Sequence, residues 1–530
     1  MTTAKRFCGV MAAAALSLIV AGGGHAEIVY HRGNAADPET LDPHKTSNVF
    51  ELNILSDLLE GLVTYDAAGT VSPGVAKAWD ISDDGTVYTF HFRDDARWSN
   101  GEPVTAEDFV FSLRRVMTPE TSGGYASLLY PIKNAEAVKA GKLDPSELAV
   151  KALDDKTLEI TLEAPTPYFI ETLKLQPALP VYPPAVKKYG DDFVKPGNMV
   201  SNGAYKLKDF TPNARTTVVK NPYFHDAENV AIDKVIFYPT EDQSAALRRF
   251  IAGELDSNWG APVEQISWMR EHLGRQLHIT PSPTLEYYAI KVTRPPFDDA
   301  RVRKALSMAV NRKFLADEIM HGAAFPAYSF VPPGIANYGK PVMPDYANDS
   351  MLDREDEAIT LMKQAGYGPD HPLKLELSYI TSETQKQVAI AIAGMYKTIG
   401  VDVTLVNRDS VAHHNLLHRH GVFDIAQARW VPDYIDAQNF LFLRQSNNPR
   451  FNYQNYSNPN FDALMAEAAK QLDANKRKAI LHEAQAILEH DGPDIPLLYH
   501  SWINLVSGSL KGFEDNISDI HLSRYMSIER

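Results

Sequence analysis

A mixed α/β fold spread over several domains is what this sequence predicts, and three observations carry it. Apolar residues alternate in short runs bounded by turn signals, a strand-helix-strand unit lies in the second half, and the chain is long, at 530 residues. Strict alternation marks half-buried strands, a 3.6-residue period marks helices, and a length of this order sets a prior of two to four domains.

The first elements come from Tyr88, Phe90 and Phe92 after the Asp83-Asp84-Gly85 turn, and from Leu158, Ile160 and Leu162 after Asp154-Asp155. Both runs are expected to be antiparallel strands. Between them Thr105 can cap a helix, Asp108 stands three residues on, and Phe109, Leu113 and Val116 follow at helical spacing. Further on, Leu373, Leu375, Leu377 and Tyr379 alternate. Val388, Ile392, Met395 and Ile399 then repeat helically, Gly400 stops that helix, and Val401, Val403 and Leu405 alternate again. The two strands are expected to be parallel with a right-handed crossover, and the next strand to fall near 422–428. Ligands in such sheets sit beyond the carboxyl ends of the strands, here at Arg429-Trp430-Val431-Pro432-Asp433-Tyr434. Two C-terminal helices carry Phe461, Leu464, Ala468 and Leu472 on one stripe and Ile480, Ala484 and Ile487 on the other, with Pro493 and Pro496 expected to end the second.

The chain opens with Lys5 and Arg6, an apolar run from Val10 to Val20, and Gly24-His25-Ala26 before Glu27. This pattern is that of a cleavable secretory signal peptide over 1–26, cut after Ala26. Its run is too short for a membrane span, and no later stretch approaches 18 apolar residues. The one cysteine, Cys8, lies inside that segment, so the mature chain has no disulfide and no thiol chemistry and relies on a large hydrophobic core. Loss of Lys5 and Arg6 moves the formal charge from −15 to −17. An acidic surface of this kind disfavours nucleic acid and anionic lipid.

No nucleophile elbow, phosphate-binding glycine loop or H-E-x-x-H helix occurs. His413, His414, His418 and His420 offer one i, i+4 pair, a spacing that suits a metal and equally an exposed helix end. Asp94-Asp95 and Asp298-Asp299 read as solvated turns. The expectation is therefore no catalytic residue, no metal and no cofactor.

Residues 75–117, VAKAWDISDDGTVYTFHFRDDARWSNGEPVTAEDFVFSLRRVM, closely resemble the signature region of the family 5 extracellular solute-binding proteins. The resemblance continues through LDPHK at 41–45, DLLEGL at 57–62, GNMVSNGAYKLKDF at 197–210, PPFDDARVRKALSMAVNR at 295–312 and DIPLLY at 494–499. It implies a three-domain periplasmic binding protein fold of class II type, with two clamp domains of mixed sheets plus an inserted α+β domain. Domain I would comprise 27–63, 186–283 and 501–530, domain II 64–185 and domain III 284–500. It also implies a periplasmic, monomeric receptor that takes short peptides to an inner-membrane ABC permease. The peptide main chain would be held as an added strand and its side chains in hydrated pockets.

In the oligopeptide-binding branch an aspartate shortly after a tryptophan holds the ligand's α-amino group, a pattern matched by Trp430 and Asp433. Glu51, Asn53, Tyr125 and Arg294 match other ligand-proximal positions. The sequence departs from the branch at Gln427 and Gln385, where an arginine and a histidine handle the ligand carboxylate. Arg429, two residues from Gln427 and so on the same strand face, is the expected substitute. The branch's cysteine pair is also missing, at Val431 and about Thr284. These departures keep open a non-peptide amine such as an opine, or a murein peptide. A hydrolase or a holdase using the same cleft are readings from other classes.

Overall fold

The computed structural model describes residues 27–121, 123–335 and 337–529. The expected signal peptide, its cleavage point and Cys8 lie outside them. Among the described residues no helix is long and apolar enough to cross a membrane.

An eleven-stranded mixed sheet forms the backbone of the molecule. From one edge its strands are Val401–Arg408, Leu373–Ile380, Ile425–Trp430, Leu277–Ile290, Asp494–Val506, Ser257–Trp259, Val29–Gly33, Lys234–Tyr238, Arg215–Lys220 and Tyr205–Thr211, with Ala324–Pro326 pairing to Asp494–Val506. Leu277–Ile290 and Asp494–Val506 are the longest, and they run antiparallel through the middle. Their ladder breaks between Pro281 and Leu285. Pro281 and Pro283 have no N–H to give to a neighbour, so a regular ladder cannot pass through them. Ser282 Oγ instead accepts from Thr284 N at 3.1 Å. The break divides the sheet into two halves joined by two strands.

One half is covered on both faces. Leu375, Leu377, Ile392 and Tyr396 belong to the core on one side, and Tyr287, Ala428, Phe440 and Phe461 to the core on the other. The other half packs around Tyr30, Tyr205 and Phe237. A separate core forms around a four-stranded antiparallel sheet of Ala76–Ile81, Val87–Phe92, Thr157–Thr161 and Val150–Asp154, with the helix Ala106–Met117. Tyr88, Phe90 and Phe92 all point into that core, as their alternation requires. Thr105 N donates to the Asp108 carboxylate at 2.9 Å, and Phe109, Leu113 and Val116 face inward. This helix start is thus stapled by its own first turn.

The strand-helix-strand unit is Leu373–Ile380, Glu383–Thr398 and Val401–Arg408, with parallel strands in register from Leu373 opposite Val401 to Ile380 opposite Arg408. Gly400 turns the chain at a φ of +79°, and a Cβ there would stand 2.9 Å from the Gly368 backbone. Only glycine meets both demands.

Three details differ from the sequence reading. The next strand is Ile425–Trp430, later than 422–428, because its parallel register is fixed by Leu377 opposite Ile425 and leaves Val422 exposed in the approach. Leu472 lies beyond the end of helix Pro459–Ala468, and in helix Ala474–Asp491 the inward stripe is Leu481, Ala484 and Leu488, with Ile480 and Ile487 at its margin. Left-handed Gly492 ends that second helix, whereas Pro496 sits within a strand, opposite Tyr287 at an irregularity where no N–H is required.

Candidate functional site

Strand Ile425–Trp430 delivers its carboxyl end to the crevice between the halves, and the loop that follows is tied down within its own lobe. The Trp430 indole donates to Asn439 Oδ1 at 3.0 Å and meets Phe442 and Phe451 edge-on. Asp436 is buried in a two-point ion pair with Arg477, at 2.7 and 2.8 Å. Tyr434 OH donates to Gln438 Oε1 at 2.6 Å.

Asp433 escapes this network and points the other way. Its Oδ1 accepts from the Tyr125 hydroxyl at 3.0 Å, a contact that spans 308 positions of sequence. Tyr434 beside it stacks on Tyr168, with centroids 4.7 Å apart and planes 7° from parallel. A cavity of about 140 Å³ lies against these groups. Its walls include Asp433, Tyr125, Tyr65, Lys174 and, from the two connecting strands, Pro283 and Trp502. Lys174 is committed elsewhere, to Glu171 Oε2 at 2.8 Å and over the Tyr65 ring at 4.6 Å. Among the described residues no lysine, arginine or histidine makes an ion pair with Asp433.

Burial pushes the Asp433 carboxyl above the usual aspartate range, with the Tyr125 hydrogen bond opposing that shift. Burial, then the Asp433 charge, pushes the Tyr125 phenol up, so it remains a donor. A carboxylate removed from bulk water and given a phenol but no cation is left under-compensated, with capacity to accept from a further donor.

Of the nine expected site residues, this corner unites two, Asp433 and Tyr125, with Trp430 as an anchor of the loop. Glu51 lies fully buried in helix Val49–Leu58, where one oxygen accepts from Glu39 N at 3.1 Å. Asn53 links Arg32 to Asn34 inside the same lobe, at 3.1 Å each. Arg294 pairs with Asp424 at 2.8 Å, beyond the Ile290 end of its strand and so at the opposite end from Trp430. Gln427 is buried opposite Tyr288, and its carbonyl accepts from His413 Nε2 at 2.7 Å. Arg429 shares its strand face and is exposed opposite Glu286, whose carboxylate meets His500 at 2.9 Å. Gln385 stands in the first turn of helix Glu383–Thr398, with a buried amide oxygen lacking a partner. None of these six lines the cavity beside Asp433. Tyr168 and Lys174 were not singled out from sequence, because nothing local marks a residue whose partner lies across a crevice.

The histidines are used singly. His413 is buried on the Gln427 carbonyl, His414 turns back to the Ser410 carbonyl, His418 meets the Arg450 carbonyl and His420 reaches Asn455. Among the described residues no group of three or more potential ligands is placed to hold a metal.

Separately packed lobes, two connecting strands and a desolvated acid at the crevice define a two-lobed solute-binding protein. The chain belongs to the bacterial extracellular solute-binding proteins of family 5, whose sequence profile matches residues 70–452. It is 37% identical over 486 residues to the periplasmic oligopeptide-binding protein OppA of Escherichia coli, covering 91% of this chain and 89% of that one. The unliganded open form of the murein tripeptide-binding protein MppA superposes with a TM-score of 0.90 at 34% identity, over 95% of this chain and 98% of that one. Haemophilus influenzae OppA in complex with the peptide RPPGFSPFR gives 0.71 at 35% identity, over 95% and 99%. A second structure of MppA, from Escherichia coli, gives 0.73 at the same 34% identity, so the present arrangement is nearer that of the unliganded open form.

Proposed function

We propose that this protein is the periplasmic peptide-binding component of an ABC importer, a receptor without turnover that captures short peptides by closing its lobes and hands them to a membrane permease. The observation that carries this reading is Asp433, a partly desolvated carboxylate at the mouth of the crevice whose partner is a neutral phenol. A free α-ammonium is the group it fits. The oligopeptide- and murein-peptide-binding relatives support the ligand class.

We assign 27–63, 186–283 and 501–530 to domain I, 64–185 to domain II and 284–500 to domain III. Both crossings between domains I and III then fall within the two long strands near their ladder break. Export with cleavage after Ala26 and a monomeric state complete the proposal.

A second reading keeps the amine site and changes the rest of the ligand. Gln385 and Gln427 put neutral amides where the branch has cations, which favours a ligand lacking a carboxylate at that distance, such as an opine or a conjugate. Native mass spectrometry of protein isolated from its own periplasm separates the two. A set of di- to pentapeptides is expected, and one uniform non-peptide mass would replace the first reading with the second.

A further inference from the structure

The loop carrying Asp433 reaches the four-stranded domain through the Tyr125 hydroxyl and the Tyr168 ring. We propose that Tyr168 and Tyr434 form the pivot about which the Asp433-bearing lobe turns. On this reading Asp433 stays beside Tyr125 in the open protein and takes the ligand's ammonium before closure. The second part rests on the amine-site reading of Asp433; the pivot itself does not.

Each ring is fixed to a different core. Tyr168 immediately precedes Phe169, which is fully buried in the core of the four-stranded sheet and meets Tyr88 edge-on at 5.1 Å. Tyr434 is fixed by Gln438 and by the neighbouring Asp436–Arg477 pair within the other lobe. The near-parallel stack therefore joins the two bodies, together with the Asp433–Tyr125 hydrogen bond and a close approach of the Leu472 side chain to the Gly85 turn. The Tyr434 end of the stack lines the same cavity as Pro283 and Trp502, so it sits beside the strands that connect the lobes. Points near an axis move little while the far rims of a clamp swing widely. The contact exists in an arrangement that matches an unliganded open relative, so it does not depend on a ligand. With Tyr125 on Oδ1, the second oxygen, Oδ2, is the acceptor offered to the ammonium.

Two measurements on the full chain test this. Small-angle scattering of the unliganded protein is expected to give a larger radius of gyration for Tyr168→Ala and for Tyr434→Ala than for the parent, whereas Tyr168→Phe, which keeps the ring, matches the parent. The association rate for tri-alanine, followed by tryptophan fluorescence, should fall in both alanine variants by up to about tenfold, the scale set by one aromatic pair, and be restored in Tyr168→Phe. An unchanged radius in both alanine variants overturns the pivot. A larger radius in a protein whose parent takes no tri-alanine leaves the pivot standing and removes the amine-site reading.

Discussion

Asp436 and Asp433 stand three residues apart in one loop and are treated in opposite ways. Asp436 is 2% exposed and held by Arg477 through two hydrogen bonds and by the Gln438 amide. Asp433 is less deeply buried, and among the described residues its carboxylate accepts from a neutral hydroxyl, that of Tyr125 beside the four-stranded core. The fully compensated acid organises the loop. The under-compensated acid keeps its charge available, and the loop tolerates that because its neighbour is so firmly fixed. The same lobe repeats the first solution at Asp494, buried with Arg444 at 2.6 Å. A missing cation at Asp433 therefore stands against a local habit of supplying one.

The contrast makes the two acids separable by mutation. Arg477→Met should produce the largest change, about 3–5 kcal/mol of lost stability, because it strands the Asp436 charge in the interior. Chemical denaturation monitored in the absence of ligand measures this, and a loss below about 1 kcal/mol would show that Asp436 is not the anchor argued here. Asp433→Asn should do the reverse. Free-amine peptides are expected to lose about 2–5 kcal/mol of binding, while N-acetylated peptides change little. Equal losses for both would reject the role of Asp433. Its folded-state carboxyl is raised above the unfolded value, so its contribution to stability is present at low pH and lost as pH rises through the folded value. At neutral pH the ionised side chain therefore works against folding, and Asp433→Asn should melt no lower than the parent. An amide that improves stability while removing binding would mark Asp433 as retained for its ligand.

How much of this was legible in advance follows from how far each feature reaches along the chain. The helix at 106–117 was, because its cap, its capping acid and its apolar stripe lie within twelve residues. The parallel unit at 373–408 was for the same reason, and Gly400 marked its turn. The strand Leu277–Ile290 was not, since Pro281 and Pro283 argue against any strand through them; the break they cause is what joins the two halves. The segment 429–434 was marked by its place beyond a strand's carboxyl end, but Asp433 was picked out within it only by resemblance, as Pro432-Asp433 alone reads as a turn. Of its surroundings, Tyr125 was reached by the same resemblance, whereas Tyr168 was not. Both belong to the four-stranded body and not to the loop they touch, and only the packing of two cores brings them there. The mirror case is Arg294 and Asn53, which match ligand-proximal positions by pattern but are occupied with Asp424 and with Arg32 and Asn34.

Smaller effects refine the distinction between a paired and an open acid. Because the Asp433 carboxyl sits above the ordinary aspartate range, affinity for tri-alanine should begin to fall at a correspondingly higher pH on acidification, by about tenfold per unit once Asp433 is mostly protonated. N-acetyl-tri-alanine should show no such dependence, since it brings no ammonium. Tyr125→Phe should then move the curve without abolishing binding. The phenol hydrogen bond is the one interaction here that favours the ionised carboxylate, against the larger cost of burial. Deleting that hydroxyl leaves burial unopposed, so the acidic limb shifts to higher pH. A shift to lower pH would mean that water had entered to solvate Asp433, and that its exposure is set by the Tyr125 contact instead of by the walls of the crevice.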